Sequence, residues 1–261
     1  MANRTATVIT VVIGVVFSVF VLIALRITAY SPAEVDTTRP GWRLVFSDEF
    51  NNADLDRSKW QTQYWHGRTN YPELQYYADN SFTFSDGMVH ITASERSIEN
   101  MRYASGLISS QNHYTFTYGY AEIRAKVPHG QGLWPAFWLV TEGKVRRPEI
   151  DVLELLGHDT QTVYTTAHYR DDDGAIQDVG HSVSVPDLSA GFHTFAVDWS
   201  PEALIWFVDG IECYRITEHI PDEPMYMIAN LAVGGTWPGD PDESTSFPAQ
   251  FDVDSIRVYQ R

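Results

Sequence analysis

The stretch YGYAEIRAKV, residues 118–127, alternates between apolar and polar side chains over most of its length. If the chain is extended, Ala121, Ile123, Ala125 and Val127 share one face, and the polar side chains share the other. A period of two residues is typical of a β-strand with one buried face. The stretch therefore predicts a half-buried strand and not a helix.

Three further strand-like runs follow one another near the C-terminus: FHTFAVDW, LIWFVDG and IECYRI. Ser200-Pro201 separates the first two, and Asp209-Gly210, which is typical of a tight hairpin, separates the last two. SIRVYQ is predicted to be the last strand. Because no long run shows helical periodicity, we predict that residues 41–261 form one antiparallel β-sandwich.

The composition limits the classes of function. The chain has 261 residues and a net charge of −16, so it lacks the basic face with which proteins neutralise phosphates, and we expect no nucleic-acid partner. It contains 8 Trp, 14 Tyr and 13 Phe residues. Such rings either fill a wide sandwich core or stack on sugar rings. The single cysteine, Cys213, excludes an intrachain disulfide.

The N-terminal run ATVITVVIGVVFSVFVLIAL, residues 6–25, is free of charge and is flanked by Arg4 and Arg26. About 20 apolar residues are enough to cross a bilayer core as a helix. No clear A-x-A cleavage site follows the run. We therefore predict a signal anchor, with a cleaved signal peptide as the alternative, over residues 1–30, and a polar linker over 31–40. We expect the remainder to be extracytoplasmic, either membrane-anchored through this segment alone or secreted.

The candidate catalytic groups lie in PEIDVLE, residues 148–154. On a regular strand Glu149 and Asp151 share a face, whereas Glu154 points the other way. A β-bulge at the two residues that precede Glu154 would bring it to the same face. Three carboxylates on one face repel one another, and such repulsion can keep one carboxyl group protonated. The motif therefore predicts a bulged strand that presents acid–base chemistry.

A retaining glycoside hydrolase needs two such groups, one as nucleophile and one as the acid that protonates the leaving oxygen, about 5–5.5 Å apart. A solvated acidic edge and a calcium site are the alternatives. Calcium loops usually draw their ligands from turns rich in Asp, Asn and Gly, whereas apolar residues separate the three acids in this motif. The pattern therefore favours catalysis.

The carboxylate motif is one of several that together resemble glycoside hydrolase family 16, in the branch with a bulged catalytic strand that contains laminarinases and β-1,3-1,4-glucanases. The resemblance covers residues 41–261 and implies a concanavalin-like jelly roll with a concave substrate cleft. It implies no cofactor for catalysis. The motifs, in chain order, are FSDEF (46–50), ELQYYADN (73–80), SGLISS (105–110), YGYAEIRAKVPHG (118–130), GQGLWPAFWL (130–139), EIDVLE (149–154), NLAVGGTWPG (230–239) and FDVDSIRVY (251–259).

By position, the resemblance implies that Glu149 is the nucleophile, Glu154 the acid/base and Asp151 the assisting carboxylate. The implied activity is retaining endo-hydrolysis of β-1,3 or mixed β-1,3-1,4 glucosidic links, with a β-glucan as substrate. Transglycosylation is an alternative, because a sugar can intercept the covalent intermediate. A carbohydrate-binding lectin is another, although a lectin would be expected to lose one or more of the acids. We expect a monomer.

The resemblance also implies substrate-binding side chains, each with a structural alternative. The tryptophans would stack on glucose rings or pack in the core, Glu122 and Arg124 would bind sugar hydroxyls or form a solvated face, and His168 would be the acceptor-side histidine or a buried core residue. The asparagines could instead form turns. The full set is Asn80, Glu122, Arg124, Trp134, Trp138, His168, Asn230 and Trp237.

Some members of the family bind a structural calcium, and the matching positions here are Glu49 and Gly87 through backbone oxygens and Asp254 through its side chain. One departure concerns Tyr71-Pro72, which stands where laminarinases commonly carry two asparagines. Proline removes an amide donor, so donor-side specificity is left open.

The tract RRPEIDVLELLGHDTQTVYTTAH is similar to bacterial glycanases that trim exopolysaccharide. Such a polymer is therefore an alternative substrate. Arg146 and Arg147 could contact its acidic substituents, or could equally be two solvated charges.

Overall fold

The computed structural model describes residues 41–142, 148–171 and 173–261. The described chain is built from β-strands and one 3-10 turn at Leu188–Ala190, which confirms the all-β prediction. The strands are β1 (Arg43–Asp48), β2 (Gln75–Tyr77), β3 (Phe82–Ser85), β4 (Met88–Ala93), β5 (Tyr103–Ser105), β6 (Leu107–Ser109), β7 (Gly119–Lys126), β8 (Leu133–Thr141), β9 (Glu149–Leu156), β10 (Asp159–Arg170), β11 (Ile176–Ser184), β12 (His193–Trp199), β13 (Leu204–Val208), β14 (Ile211–Ile216), β15 (Met225–Val233) and β16 (Ala249–Gln260).

The predicted membrane segment, residues 1–30, and the predicted linker, residues 31–40, lie outside the described residues. Within the part of the chain that is described, no helix has the length and apolar character needed to cross a bilayer.

Two antiparallel sheets form the body of the structure. The eight-stranded sheet has the order β14-β13-β12-β7-β16-β4-β3, and β1 also pairs with β16. The six-stranded sheet has the order β11-β10-β9-β8-β15-β6. β2 and β5 form a short parallel pair beside them.

The alternation in β7 has the predicted consequence. Ala121, Ile123 and Ala125 are fully buried in the main core cluster, which contains side chains from both sheets. The alternate positions, including Glu122 and Arg124, therefore lie on the outer face of the eight-stranded sheet. The two sheets bury their apolar faces against each other and leave two opposite outer faces.

The predicted meander is confirmed, because β12, β13 and β14 are neighbours in the eight-stranded sheet. Asp209 and Gly210 join β13 to β14 with φ values of 48° and 76°. Two consecutive positive φ angles are typical of the type I′ turn, whose twist matches that of the flanking strands. The predicted last strand, SIRVYQ, is the end of the longer β16, which lies between β7 and β4.

A second, smaller apolar cluster lies beside the six-stranded sheet and includes residues of β6, β8 and β15 together with Tyr64 and Tyr77. Trp138 packs against its edge. The cluster attaches the segment that precedes β2 to the outer face of this sheet. That segment therefore forms a wall above the sheet.

Candidate active site

A bulge in β9 places the three acids. Across β8 and β9, Phe137 pairs with Leu153 but Trp138 pairs with Asp151, so Val152 is an extra residue on β9. The pairing of β9 with β10 shifts at the same place. The irregularity therefore lies within the two residues at which the sequence predicted it. Because of this extra residue, the side chain of Glu154 points to the outer face together with Glu149 and Asp151. On a regular strand it would have pointed into the core.

The pocket above the bulge has a volume of ≈ 450 Å³, within the range of small-molecule binding sites. Glu149, Asp151 and Glu154 all line it. The complete lining is Tyr64, Asn70, Glu73, Trp134, Ala136, Trp138, Glu149, Asp151, Glu154, Thr166, His168, Asp178, Asn230, Ala232 and Trp237. Of the eight predicted substrate-binding side chains, the pocket includes Trp134, Trp138, His168, Asn230 and Trp237.

An aromatic group encloses the Glu154 end of the pocket. Nε1 of Trp134 donates a hydrogen bond of 3.2 Å to Oε1 of Glu154. Trp237 lies edge-on to Trp134, with ring centroids 5.2 Å apart, and edge-on to Tyr164 at 4.9 Å. Trp237 is 41% exposed, so part of its ring is available to a ligand. This end of the pocket combines the carboxyl group of Glu154 with flat apolar surfaces on which sugar rings can stack.

The other end holds a compact group of titratable side chains. Nε2 of His168 lies 3.0 Å from Oδ2 of Asp151 and 3.8 Å from Oε1 of Glu149. Asp151 is buried, and its Oδ2 makes no hydrogen bond with any described residue despite the nearby imidazole nitrogen. The contact is therefore one of proximity without hydrogen-bond alignment. Buried polar atoms without a hydrogen-bond partner are rare in folded proteins, and a catalytic role is one explanation for them.

Ligand atoms of Glu149, Asp151 and His168 lie within 4.8 Å of one another, so this trio could hold a divalent cation. Such an ion would coordinate the carboxylate of Glu149, which is predicted to attack the substrate. Metal binding and nucleophilic attack therefore exclude each other at this place, and an ion bound here would inhibit.

The backbone of the bulge is held from the opposite sheet. Nε1 of Trp206, on β13, donates a hydrogen bond of 2.9 Å to the carbonyl oxygen of Asp151. Trp206 is fully buried. A bulge disrupts the ladder of backbone hydrogen bonds, and the indole supplies a partner to a carbonyl beside the disruption. A core side chain thus fixes the backbone position of Asp151.

A polar chain behind the pocket orients Trp138. Its Nε1 donates to Oδ1 of Asn230 at 2.9 Å, and Nδ2 of Asn230 donates to the Tyr77 hydroxyl at 3.1 Å. The Tyr77 hydroxyl lies 3.4 Å from Oε2 of Glu73. Burial raises the pKa of Tyr77 well above its ordinary value, so this phenol stays protonated. Both ends of the Asn230 amide contact protein, so Asn230 positions Trp138.

Two predicted substrate-binding residues lie on the wrong sheet. Glu122 is buried on β7 with Oε1 3.5 Å from Nη1 of Arg257, and Nη1 of Arg124 lies 3.1 Å from Oδ2 of Asp254. Neither lines the pocket. The prediction for Glu122 and Arg124 is therefore corrected to an ion-pair role. Alternation shows which residues face outward, but not which of two outer faces carries the cleft.

Asn80 is also displaced from the pocket. It is exposed in the turn after β2, and its Oδ1 accepts a 2.8 Å hydrogen bond from Nη2 of Arg96. The alternative given for it, a turn residue, describes its place in the structure.

Sequence reasoning missed several lining residues, and two of them, Asn70 and Glu73, form a polar corner. The carboxylate of the buried Glu73 accepts hydrogen bonds from Nδ2 of Asn70, at 2.5 Å, and from Nε2 of Gln75, at 2.6 Å. Asn70 directly precedes the Tyr71-Pro72 departure, which was the available signal. Tyr64, Thr166 and Asp178 also line the pocket, although none of them was predicted to bind substrate.

Among the three predicted calcium donors, the one side-chain ligand already has a partner. Only Asp254 contributes a carboxylate, and that group already pairs with Arg124. The Glu49 carboxylate forms two hydrogen bonds with Arg257, at 2.8 Å and 2.5 Å. A calcium ion would have to displace a guanidinium from the one charged ligand on offer. The structural calcium stays a prediction.

Residues 69–255 match the family model described as glycosyl hydrolases family 16, which is more than half of the chain. The chain belongs to this family. A beta-glucanase of Rhodothermus marinus is 36% identical over 250 residues, which cover 85% of this chain and 86% of that protein. The endo-1,3-1,4-beta-glycanase ExsH of Rhizobium meliloti (strain 1021) is 35% identical over 82% of this chain, and the match spans only 51% of ExsH.

Solved structures of family 16 share the fold. The laminarinase catalytic domain from Thermotoga maritima MSB8 superposes with a TM-score of 0.75 and 35% sequence identity, over 84% of this chain and 98% of that chain. Together with the two antiparallel sheets, this likeness confirms the predicted jelly-roll sandwich. The family resemblance stated from the motifs is confirmed as well. The pocket on the outer face of the six-stranded sheet is therefore the candidate active site of a family 16 glycoside hydrolase.

Proposed function

We propose that this chain is a retaining endo-β-glucanase that hydrolyses β-1,3 or mixed β-1,3-1,4 glucosidic links in polysaccharides. The observation that carries the proposal is the bulge, because it brings Glu149, Asp151 and Glu154 into one pocket walled by tryptophan. A lectin on the same scaffold has no need of three mutually repelling carboxylates. The activities named for the beta-glucanase and for ExsH support the same substrate class.

In the proposed reaction Glu149 attacks the anomeric carbon, and the bond to the leaving oxygen breaks as Glu154 protonates that oxygen. A glycosyl ester on Glu149 results. Glu154 then takes a proton from water, whose oxygen attacks the anomeric carbon and releases Glu149. Two displacements at one carbon give overall retention. Asp151 lies beside Glu149 and contributes to the electrostatic potential at the nucleophile.

The test is a panel of β-1,3-glucan, mixed-linked β-glucan, cellulose and bacterial exopolysaccharide, with the first-formed product anomer followed by NMR. We expect β-anomers to appear first from the β-1,3 or mixed-linked polymer, with a rapid fall in chain length. Initial α-anomers would overturn the mechanism, and silence on every polymer would favour binding over hydrolysis. Product sizing separates transfer from hydrolysis, because only transfer lengthens chains.

We also propose that the catalytic domain lies outside the cytoplasm and that residues 1–30 hold it at the membrane. The support is the uncharged run at residues 6–25 and the polymeric substrate. The full-length protein should then sediment with membranes and be open to protease from outside. Val16→Arg, which places a charge within the run, should reduce this association at a cost of about 3 kcal/mol. Recovery of the unaltered protein inside the cell would contradict the proposal.

A structural calcium at Glu49, Gly87 and Asp254 is the remaining part of the proposal. Thermal unfolding with excess calcium and with a chelator tests it. A higher melting temperature in calcium that is lost in Asp254→Asn supports the site. Identical melting curves under both conditions would exclude a stabilising ion.

A further inference from the structure

A row of three polar side chains crosses the outer face of the eight-stranded sheet, on the opposite sheet from the active-site pocket. Oγ of Ser85 lies 2.9 Å from Nε2 of His90, and Nδ1 of His90 lies 2.7 Å from Oδ1 of Asp252. A hydroxyl, an imidazole and a carboxylate joined in this order activate a serine nucleophile on several unrelated folds. None of the three residues lines the active-site pocket.

The pairing of three adjacent strands produces the row. β4 lies between β3 and β16. His90 on β4 is directly opposite Asp252 on β16, and its partner on β3 is Thr83, two residues before Ser85. Both neighbours of His90 along β4 are fully buried in the core, so the imidazole points outward. Side chains at opposite and diagonal positions of one face lie within reach of each other, which brings the three groups into contact.

The carboxylate determines which nitrogen of the imidazole carries the proton. An ionised Asp252 can only accept a hydrogen bond, so Nδ1 of His90 is the donor in the contact between them. In the neutral imidazole Nε2 is then unprotonated, and the Ser85 hydroxyl donates to it. Nε2 is therefore placed to take the proton of Ser85 when its oxygen attacks an electrophile.

The two ends of the row differ in exposure. The side chains of His90 and Asp252 are 13% and 20% exposed. Ser85, by contrast, is exposed at the end of β3. The base and the carboxylate that orients it are thus largely screened from water, whereas the nucleophile is open to a ligand.

The turn after Ser85 places amide donors beside the hydroxyl. Asp86 and Gly87 join β3 to β4 with φ values of 53° and 73°. Their backbone N–H groups donate to no other backbone group in the part of the chain that the structure describes. Such donors can stabilise the negative charge that develops on a carbonyl oxygen under attack. The Asp86 carboxylate opposes this chemistry, because its Oδ2 lies 3.3 Å from Oγ of Ser85 and competes for the same proton.

We propose that Ser85, His90 and Asp252 form a second reactive site, separate from the glucan site, that cleaves small carboxylic esters through an acyl-serine. His90 takes the hydroxyl proton as Oγ of Ser85 bonds to the carbonyl carbon. The bond from that carbon to the alcohol oxygen breaks, and His90 gives the proton to the departing alcohol. Water, deprotonated by His90, then attacks the acyl-serine, which releases the carboxylic acid and returns the proton to Ser85. Because Ser85 lies beside an exposed turn, small esters with a good leaving group should react best.

The experiment treats the full-length protein with p-nitrophenyl acetate and with a fluorophosphonate probe, and mass spectrometry maps the modified residue. Both reagents should modify Ser85. Ser85→Ala should lose the label and the release of p-nitrophenol above the uncatalysed rate. His90→Gln should slow acylation by about a hundredfold or more, the contribution of a general base. Asp86→Asn should speed it up, since it removes the competing carboxylate and asparagine tolerates a positive φ.

Ser58→Ala is the matched control, because Ser58 is an exposed serine whose hydroxyl donates to the Asp56 carboxylate. It should react like the wild type. Melting curves check the fold of every variant. If His90→Gln melts early, Asp252→Asn tests the same row: an amide no longer fixes the tautomer of His90, and acylation should slow by about tenfold or more.

Three results would overturn the site: no label on the wild type, equal labelling of the wild type and Ser85→Ala, or wild-type rates in folded His90→Gln or Asp252→Asn. A label that maps to His90 or to a lysine in place of Ser85 would do the same. Neither assay contains a glucan, so the outcome does not depend on the proposed glucanase activity.

Discussion

The indole of Trp134 and the carboxylate of Glu154 are joined by a hydrogen bond of 3.2 Å, between residues of adjacent strands. On β8, Ala136 pairs with Glu154, so Trp134 lies one side-chain pair further along the same outer face. The contact depends on the bulge, because without it Glu154 would point into the core. Trp134 thus offers a ring on which a sugar can stack and also a hydrogen bond that positions Glu154, the predicted acid/base.

Replacement of Trp134 by Phe tests whether this hydrogen bond positions Glu154. The variant keeps an aromatic ring but removes the donor, so Glu154 loses a positioning contact. We expect kcat to fall by about tenfold with a much smaller change in KM, the scale of a hydrogen bond to a charged group. A rise in KM alone, with kcat unchanged, would show that Trp134 acts only as a stacking surface.

Replacement of Glu149 and Glu154 by Ala tests their separate roles. Each variant should lose roughly a thousandfold or more in activity on polysaccharide while circular dichroism shows an unchanged fold. With an aryl β-glycoside and added azide, Glu149→Ala should form the α-glycosyl azide, since azide takes the place of the nucleophile. Glu154→Ala should form the β-glycosyl azide, since azide then attacks the intermediate on Glu149. Retained hydrolysis in Glu149→Ala, or exchanged azide products, would contradict the assignment.

The Tyr77 hydroxyl is predicted to support the pocket from behind. Tyr77→Phe leaves Nδ2 of Asn230 without its acceptor in a buried place, which should cost about 1–3 kcal/mol of unfolding free energy and loosen Trp138. Urea denaturation measures the first effect and KM the second. Tyr76→Phe removes a hydroxyl from the neighbouring residue of β2 and should change stability by less than about 0.5 kcal/mol. Equal effects of the two substitutions would show that the polar chain contributes nothing.

The wall that carries Tyr64 and Asn70 is predicted to weaken in acid. Partial burial acts to raise the pKa of Asp79, but hydrogen bonds from Thr62 and Arg68 outweigh it and hold the pKa below its ordinary value. Arg68 also donates to the backbone oxygen of Tyr77 at 2.8 Å, so the pair ties this segment to β2. A depressed carboxyl pKa in the folded state gives stability above the ordinary pKa, and that stability is lost as the pH falls through the folded-state value.

Asp79→Asn should therefore melt below the wild type at neutral pH, and the difference should shrink below about pH 4. Glu95→Gln is the control, because Glu95 is exposed and makes no ion pair among the described residues. A difference in melting temperature that stays constant from neutral pH to acid would contradict the role of the charged pair.

The errors of prediction share one cause. Glu122 and Arg124 alternate as well as any strand residues in the chain, and they do face outward, but from the eight-stranded sheet. The same local pattern serves both sheets of a sandwich. Asn80 was placed by a motif, while Asn70, which lines the pocket, lies just outside that motif. Local patterns do not encode which loop folds over which face.

The order of polar and apolar residues determined the strands, the hairpin at Asp209-Gly210 and the set of three acids, since these depend on neighbours along the chain. Tertiary structure alone decided that the outer face of the six-stranded sheet carries the pocket. It also decided that Trp206 secures the bulge from the opposite sheet. This contact links residues that are far apart in sequence. The packing of the two sheets brings them together, and the periodicity of the sequence carries no information about that packing.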